Sequence, residues 1–599
     1  MSEVKKLKTR IEIDSRYKWN IEKLYENSLA WEEDFKILEA KAPKIKSFSG
    51  KLNKAEELFS FLEKQTEISR LLDKLLVYAH LKSDEDTAKA EFQVLKNKID
   101  SYAAEVSSII AFFVPELLSL PEGTIEQSIA KLPELKLYEF YLRDILIQKP
   151  HVLSSEGEKL LAAVSDCLNA PENIFGMLTN ADMVFPNIKD EEGNEVELTE
   201  VNYSTFIKSK DRRVRKDAFE VLFDTYKGFR NTLTASLTSS IKNFIFYSKT
   251  RNYTSALESS LKPNNIPVEV YHNVVDTINK NLSSLHKYVS LKKKLLGLDE
   301  IHMYDLYVPI VDMEEQHIEF EDAVKTVLEG IKPLGAEYLG IFNKGIEEGW
   351  IDVFENKGKR GGAYSWGSYD TMPYVLLNYN YETNDVSTLA HEMGHSIHSY
   401  YSRANQPYIY SGYTLFCAEV ASTTNECLLI DYLIKNEKDK KKRLFLINQQ
   451  LEGIRTTVFR QCMFAEFEKI THESIEEGHP LAPEDLCKIY HDLNVKYFGK
   501  DMIVDEGVDM EWSRIPHFYS DFYVYQYTTG FAAANSFSKM IVEEGESAVE
   551  KFKGFLKSGG SDYPINILKK AGVDMSTPKP LEDTIRRFDE LLELLEKEI

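Results

Sequence analysis

Between residues 54 and 120, apolar side chains recur at spacings of three and four (Leu58, Leu62, Ile68, Leu71, Leu72, Leu75, Leu76) among many Lys and Glu. That period puts the apolar groups on one face and predicts amphipathic helix with a solvated charged face. Pro115 and Pro121 punctuate its end. The same pattern predicts helices over 155–169, 211–250, 268–296, 321–347, 441–473 and 581–599. The fold class is therefore mainly α. Two stretches read differently. Residues 183–199 have apolar ends around an acidic Asp-Glu-Glu-Gly-Asn turn and predict a short β-hairpin. Residues 361–381 are Gly-rich and aromatic, then β-branched, with a strand expected over 374–379. A boundary is expected near residue 200, separating a helical region 1–200 that ends in the hairpin from a second region 201–599. No internal repeat or low-complexity tract interrupts either part.

Composition narrows the function classes. The chain has 599 residues, 43% of them apolar, with 33 Tyr and 32 Phe, enough to fill a large interior. Its 73 Lys and Arg against 96 Asp and Glu leave a net charge of −23. That balance excludes sequence-independent nucleic-acid binding as a main role and disfavours an anionic membrane surface. The five cysteines, Cys167, Cys417, Cys427, Cys462 and Cys487, are odd in number and form no Cys-x-x-Cys. Free thiols in a reducing compartment are expected, and thiolate zinc is not. Residues 1–10 lack the apolar segment of a secretory signal, and the longest aliphatic-aromatic run, near 109–114, is too short to span a bilayer. A soluble, cytoplasmic protein is expected.

Three of the 13 histidines fall within eight residues, His391-Glu392-Met393-Gly394-His395-Ser396-Ile397-His398. Histidines four apart on a helix share a face, so both imidazoles can reach one Zn²⁺. Glu392 then lies beside the ion rather than on it, where it can take a proton from an activated water. Asn384 and Asp385 can cap the helix, while Val386, Leu389, Ala390 and Met393 supply its buried face. A catalytic zinc needs a third protein ligand. The pattern His-x-x-Gly-x-x-His is absent, since His398 stands where that Gly would be. His398 shares the face of His391 and His395, but seven helical residues rise about 10.5 Å, too far to share one ion with His391 without a break. His398 is thus a fallback third ligand, better suited to supporting the ligands or touching substrate. The alternative is a carboxylate from the next helix. Residues 413–433 are apolar at Leu415, Phe416, Val420, Cys427, Leu428 and Ile430, yet carry Glu419 and Glu426 seven apart and so on one side. A carboxylate on such a helix is costly unless paired or coordinated.

With these residues in place, the sequence resembles the oligoendopeptidase F branch of the thimet-oligopeptidase family of zinc metallopeptidases. The resemblance rests on His391-Glu392-Met393-Gly394-His395 followed by Ala418-Glu419-Val420-Ala421-Ser422, on Gly358-Lys359-Arg360-Gly361-Gly362-Ala363, and on Asn378-Tyr379 with Asp385-Val386 and Thr388-Leu389. It extends to Ile515-Pro516-His517-Phe518-Tyr519 and Tyr523-Val524-Tyr525-Gln526-Tyr527. It implies one Zn²⁺ per chain on His391, His395 and Glu419, with Glu392 as general base. It also implies a Tyr/His group for the oxyanion and the substrate backbone. His517 and Tyr525 match that group best by motif, leaving the choice among Tyr519, Tyr523, Tyr525 and Tyr527 open. Gly361, Gly362, Ala363, Tyr379, Tyr523 and Tyr527 are candidate substrate contacts. Thermolysin-like enzymes place an Asp four residues after the ligand Glu; here that position is Thr423, so Thr423, Ser422 or Glu426 is left to orient a histidine. The family's architecture implies a large two-lobed helical body enclosing a deep channel, with a zincin-type edge strand beside the active-site helix and 201–599 as the catalytic domain. Such a channel admits short oligopeptides and excludes folded proteins.

Competing readings fit less well. The 358–363 segment holds Gly, Lys and Arg but lacks the Gly-x-x-x-x-Gly-Lys-Ser/Thr pattern, so nucleotide binding is rejected. An edge strand that a peptide can extend suits it better. A peptide-binding scaffold would not need the base Glu392. No Gly-x-Met-Glu-Asn segment for capturing an N-terminus occurs. The expected activity is endopeptidase action on short peptides.

Overall fold

The computed structural model describes residues 6–311 and 316–599; residues 1–5 of the N-terminal segment read above lie outside the described residues. The chain is mainly helical. The principal helices are α1 (Ala55–Glu85), α2 (Ala90–Ile110), α3 (Thr383–Asn405), α4 (Leu415–Asn436), α5 (Arg460–Glu476), α6 (Tyr525–Glu544) and α7 (Glu546–Ser558). The strands are short: β1 (Asn187–Lys189), β2 (Glu195–Glu197), β3 (Ile301–His302), β4 (Ile351–Asp352), β5 (Tyr364–Trp366), β6 (Tyr374–Leu376) and β7 (Met502–Ile503). Two compact units assemble from separate stretches of chain, one from Met1–Lys149, Glu315–Tyr432 and Phe537–Val573, the other from Pro150–Glu314, Leu433–Ser536 and Asp574–Ile599. The boundary expected near residue 200 is not a boundary between these units, since it falls inside the second, where β2 leads into the helix Glu200–Phe206.

In the first unit, the stretch read as one helical region over 54–120 is broken. α1 ends at Glu85, and at the turn Thr87 N–H donates to the Gly358 carbonyl at 2.7 Å. Pro115 does not end a helix; it sits at the third position of Phe113–Ser119, within the first turn, where its missing N–H costs nothing. By length and composition Ala90–Ser119 would pass for a membrane span, and 28% of its most apolar window is buried. Leu95, Ile99, Tyr102, Val106 and Ile109 are the side chains α2 buries, and they join the core around Trp31, Phe61 and Tyr78.

The sheet of this unit has the order β4-β6-β5. Ile351 and Asp352 of β4 pair in parallel with Val375 and Leu376, while Tyr364, Ser365 and Trp366 of β5 pair antiparallel with Leu376, Val375 and Tyr374. Of the strand expected over 374–379, Tyr374–Leu376 form the buried central strand, and β5, after Gly361-Gly362-Ala363, is the edge. Lys359, the cation of that Gly-rich segment, is fully buried. It donates to the carbonyls of Asp352 and Phe354 and pairs with the Asp352 carboxylate at 2.8 Å, so it is committed to holding the loop. β5 is tied to α3 through Ser365 Oγ and Ser396 Oγ at 2.8 Å and through Arg403 Nη2, which donates to the Gly367 carbonyl at 2.8 Å.

The second unit contains the predicted hairpin. Asn187, Ile188 and Lys189 pair with Glu197, Val196 and Glu195, and Asp190 closes the turn by accepting from Asn194 N–H at 2.7 Å. The helices expected over 211–250, 268–296 and 441–473 are each interrupted. The last breaks at a five-residue π turn, Arg455–Phe459, over which buried Arg455 pairs with Glu452. α5 continues from it.

Candidate metal centre

α3 starts at Thr383 because Asp385, two residues in, accepts from the backbone N–H groups of Glu382 at 3.0 Å and Asn380 at 2.7 Å. A carboxylate in the first turn also suits the positive end of the helix dipole. Val386, Leu389, Ala390 and Met393 are buried as expected, which turns His391 and His395 together to the opposite, half-buried face.

α4 crosses α3 very closely, and Gly394 permits it. A Cβ there would meet Ser422 Cα at 2.6 Å and the Ala421 carbonyl at 3.2 Å. Asn425 stitches the crossing, donating to the Ala390 carbonyl at 3.0 Å and accepting from Tyr338 Oη at 3.0 Å. The contact delivers Glu419 Oε2 to 3.4 Å from His391 Nε2 and 3.7 Å from His395 Nε2, with the two ring nitrogens 3.1 Å apart. Zinc bonds of about 2.0–2.1 Å in tetrahedral geometry put ligand atoms about 3.3–3.4 Å apart, so this triangle fits a single ion of that kind. Among the described residues this is the one group of three His, Cys, Asp or Glu side chains able to hold a metal. The side chain of Glu419 keeps 42% exposure, so the burial cost expected for it is only partly incurred, and the open side faces solvent.

The surrounding hydrogen bonds orient the first ring. Glu426 Oε2 lies 3.2 Å from His391 Nδ1, so Nδ1–H donates to the carboxylate and Nε2 is turned to the group. Ser387 Oγ donates to the other oxygen of Glu426 at 3.3 Å. Ser422 Oγ donates to Glu419 Oε2 at 3.4 Å. Of the three residues considered for orienting a histidine, Glu426 is the one bonded to a ring, and Ser422 bonds Glu419 instead. Thr423 makes no such bond among the described residues. Burial opposes the cationic form of His391, but the hydrogen bond and charge of Glu426 outweigh it and hold the ring up at about 9. Burial and the neighbouring His391 push His395 down to about 3. Burial pushes the Glu392 carboxyl up to about 7.

His398 does not join the group. It is 1% exposed, stacked on Tyr413 at 3.7 Å and packed against Phe555 of α7 at 5.1 Å. The helical rise carries it away from His391 as the spacing argument required, and its neighbours are rings rather than donors. Tyr379 is also corrected: it is 3% exposed and its hydroxyl donates to the Ile318 carbonyl, so it is a core residue and not a substrate contact. Gly361, Gly362 and Ala363 are exposed.

The downstream motif lies in the second unit. Tyr525, the favoured oxyanion tyrosine, is 1% exposed, with its ring 5.1 Å from Tyr271. At the first position of α6 its side chain turns into the core, and burial raises its hydroxyl far above the usual range. Tyr519 stacks on Phe175 at 4.7 Å. His517, Tyr523 and Tyr527 instead form one accessible cluster: His517 is parallel to Tyr523 at 5.8 Å, and Tyr527 Oη is 3.4 Å from His517 Nε2. Sequence reasoning missed Gly394, Asn425 and Ser387. For Gly394 a signal existed, a glycine inside a well-capped helix beside two histidines.

A helix-borne His-Glu-x-x-His pair joined by a glutamate from the following helix is the arrangement of a metallopeptidase centre. Comparison with known proteins agrees. The profile of peptidase family M3 matches residues 205–587, and that of oligopeptidase F matches residues 116–185. Oligopeptidase PepF of Bacillus subtilis (strain 168) is 46% identical over 601 residues, covering 100% of this chain and 90% of its own. Group B oligopeptidase PepB of Streptococcus agalactiae is 41% identical over 588 residues, covering 98% of both. The crystal structure of oligoendopeptidase-F from Enterococcus faecium superposes with a TM-score of 0.73 at 38% identity, covering 95% of this chain and 99% of that one. The chain belongs to peptidase family M3, in its oligopeptidase F branch. It is a metalloendopeptidase, a hydrolase of peptide bonds.

Proposed function

We propose that this endopeptidase depends on one Zn²⁺ per chain, held by His391 Nε2, His395 Nε2 and Glu419 Oε2, and that it cuts internal bonds of short oligopeptides in the cytoplasm. The observation that carries the reading is the triangle of those three atoms, with sides of 3.1, 3.4 and 3.7 Å, on the helix that also bears Glu392. Zinc bound there supplies a Lewis acid that polarises the scissile carbonyl and acidifies a water. Glu392, next in sequence to one ligand and not itself in the triangle, takes the proton of the attacking water and returns it to the leaving amine. Glu426 and Ser422 hold His391 and Glu419 in register.

His517 together with Tyr523 or Tyr527 is given the oxyanion and the substrate backbone. Accessible hydroxyl and imidazole donors suit that role, and buried Tyr525 does not. Exposed Gly361, Gly362 and Ala363 lead into β5, whose free edge can take a peptide as an added strand. Short peptides as substrates are supported by the names of the relatives, oligopeptidase and oligoendopeptidase. All residues proposed to act fall within 201–599, the region expected to be catalytic. A net charge of −23 further favours peptides over nucleic acid.

Metal analysis with cleavage mapping on a panel of internally quenched peptides tests this. One zinc per chain, loss of cleavage on chelation with recovery on adding zinc, and cuts at internal bonds are expected. Release of terminal residues only, or full cleavage without stoichiometric metal, would contradict it.

A further inference from the structure

The segment between His517 and Tyr523 contains a backbone conformation that its residue does not favour. Phe522 has φ +58°, in the left-handed region that a bulky L-residue rarely adopts. Such a conformation persists where surrounding contacts over-determine it, and it often marks a functional constraint. The contacts come from one face of α5. Phe522 N–H donates to Glu468 Oε1 at 3.1 Å. His472, one turn further along, is bonded through Nδ1 to the Glu468 carbonyl at 2.8 Å and through Nε2 to Asp521 Oδ1 at 2.9 Å. The imidazole also packs on the Phe522 ring at 4.4 Å, and that ring meets Tyr271 edge-on at 5.6 Å. Ser260 Oγ donates to the Asp521 carbonyl at 3.0 Å.

Glu468 is an expensive choice if stability is its only role. It is 1% exposed and its Oε2 has no hydrogen-bond partner. An apolar residue of similar size would avoid that cost, and the backbone N–H of Phe522 would then be the only polar group left without its acceptor. Burial and the nearby Asp521 push the Glu468 carboxyl well above the ordinary carboxylate range. What Glu468 and His472 hold is the turn immediately before Tyr523. Ser520 N–H donates to the His517 carbonyl at 2.9 Å and Tyr523 N–H to the Ser520 carbonyl at 3.0 Å, so the chain doubles back within six residues. The turn sets Tyr523 parallel to His517, with 4° between rings whose centroids are 5.8 Å apart, and Tyr527 edge-on to both.

We propose that Glu468 and His472 are positioning residues for the peptidase reaction: they clamp the left-handed turn at Asp521-Phe522 and thereby set the mutual placement of His517, Tyr523 and Tyr527. The inference rests on the reading that this cluster acts on substrate. A clamp of this kind acts through geometry, and a shift of one ångström in a group that binds a transition state is worth up to about a hundredfold in rate.

The test uses the full zinc-loaded chain with Glu468→Leu, which removes the acceptor, and Glu468→Gln, which keeps the size and a carbonyl oxygen. Four quantities are read: kcat, KM on an internally quenched peptide, zinc content, and amide hydrogen exchange of the peptide covering 515–527. Glu468→Leu should lower kcat about tenfold or more, with KM changed far less, zinc unchanged and exchange at 515–527 faster. Glu468→Gln should restore all of these to near the parent values. Parent-like kcat and exchange in Glu468→Leu would overturn the clamp, and so would equal damage in both variants. Should Glu468→Leu not accumulate folded, Asp521→Asn, which weakens the bond to His472 without changing size, should show the same kcat and exchange signature; an unchanged protein again overturns the clamp. His517→Ala and the double variant Tyr523→Phe/Tyr527→Phe separate the two layers of argument. If they lower kcat while the Glu468 variants do not, the clamp alone fails. If they leave kcat unchanged, the cluster has no part in the reaction and the inference falls with it.

Discussion

Two histidines one turn apart cannot complete a catalytic site alone, and the identity of the third donor decides what the site can do. Glu419 and His398 were the alternatives. Glu419 faces both ring nitrogens, whereas His398 is sealed between Tyr413 and Phe555. Glu419→Ala should therefore strip zinc from the protein under dialysis that leaves His398→Ala loaded, as read by metal analysis; the reverse result would make His398 the ligand. Glu426→Gln keeps a group of the same size beside His391 Nδ1 but removes the charge, and should weaken zinc affinity about 10- to 100-fold in a chelator competition. At the oxyanion, Tyr525→Phe should change kcat far less than Tyr523→Phe or Tyr527→Phe, because the Tyr525 ring lies in the core. Helical geometry put His391 and His395 on one face, while Glu419 as the third donor came from the family resemblance. The sequence could not separate Tyr523, Tyr525 and Tyr527. Alternate residues entering a new helix turn to different sides, and which side is core depends on Tyr271, some 250 residues away.

At the scale of elements, the site is the crossing of α3 and α4. Its closeness depends on a missing side chain at Gly394 and on Asn425 bridging to the Ala390 carbonyl. Adding one methyl there drives a carbon into the Ser422 backbone, a clash of the overpacking kind that costs about 1–3 kcal/mol. Gly394→Ala should lower the thermal midpoint. It should also lower zinc affinity, because the helices can only part by withdrawing Glu419. A midpoint drop with unchanged zinc affinity would show that the crossing tolerates the shift without moving the ligand. Periodicity found these helices but ran several together. The break after Glu85 depends on Thr87 bonding to Gly358, a partner 271 residues distant, and no local pattern records that. The same limit applies to the sheet. An aromatic and aliphatic run over 374–379 signalled a strand, while its central place in the order β4-β6-β5 is a tertiary fact.

At the scale of the molecule, each compact unit is assembled from three stretches of chain, so a boundary drawn along the sequence near residue 200 does not describe either of them. The net charge of −23 says nothing of the buried pairs. In the second unit, burial works against the charge of Glu452, yet Arg455 and Lys292 outweigh it and hold the carboxyl down to about 2. A folded value below the unfolded value of about 4.3 adds stability that is complete above that pH and is lost as the pH falls toward 2. Glu452→Gln should therefore flatten the fall in urea midpoint across that window. At neutral pH it should destabilise the protein by about 3 kcal/mol, because two buried cations lose their partner. The central claim, that Glu392 works as the base beside a zinc held by His391, His395 and Glu419, is tested most directly by one variant. In Glu392→Gln, zinc content and peptide turnover should be measured on the same sample. The account predicts one zinc per chain with turnover of an internally quenched peptide reduced at least about 10²- to 10⁴-fold; turnover near that of the parent, with zinc bound, would contradict it.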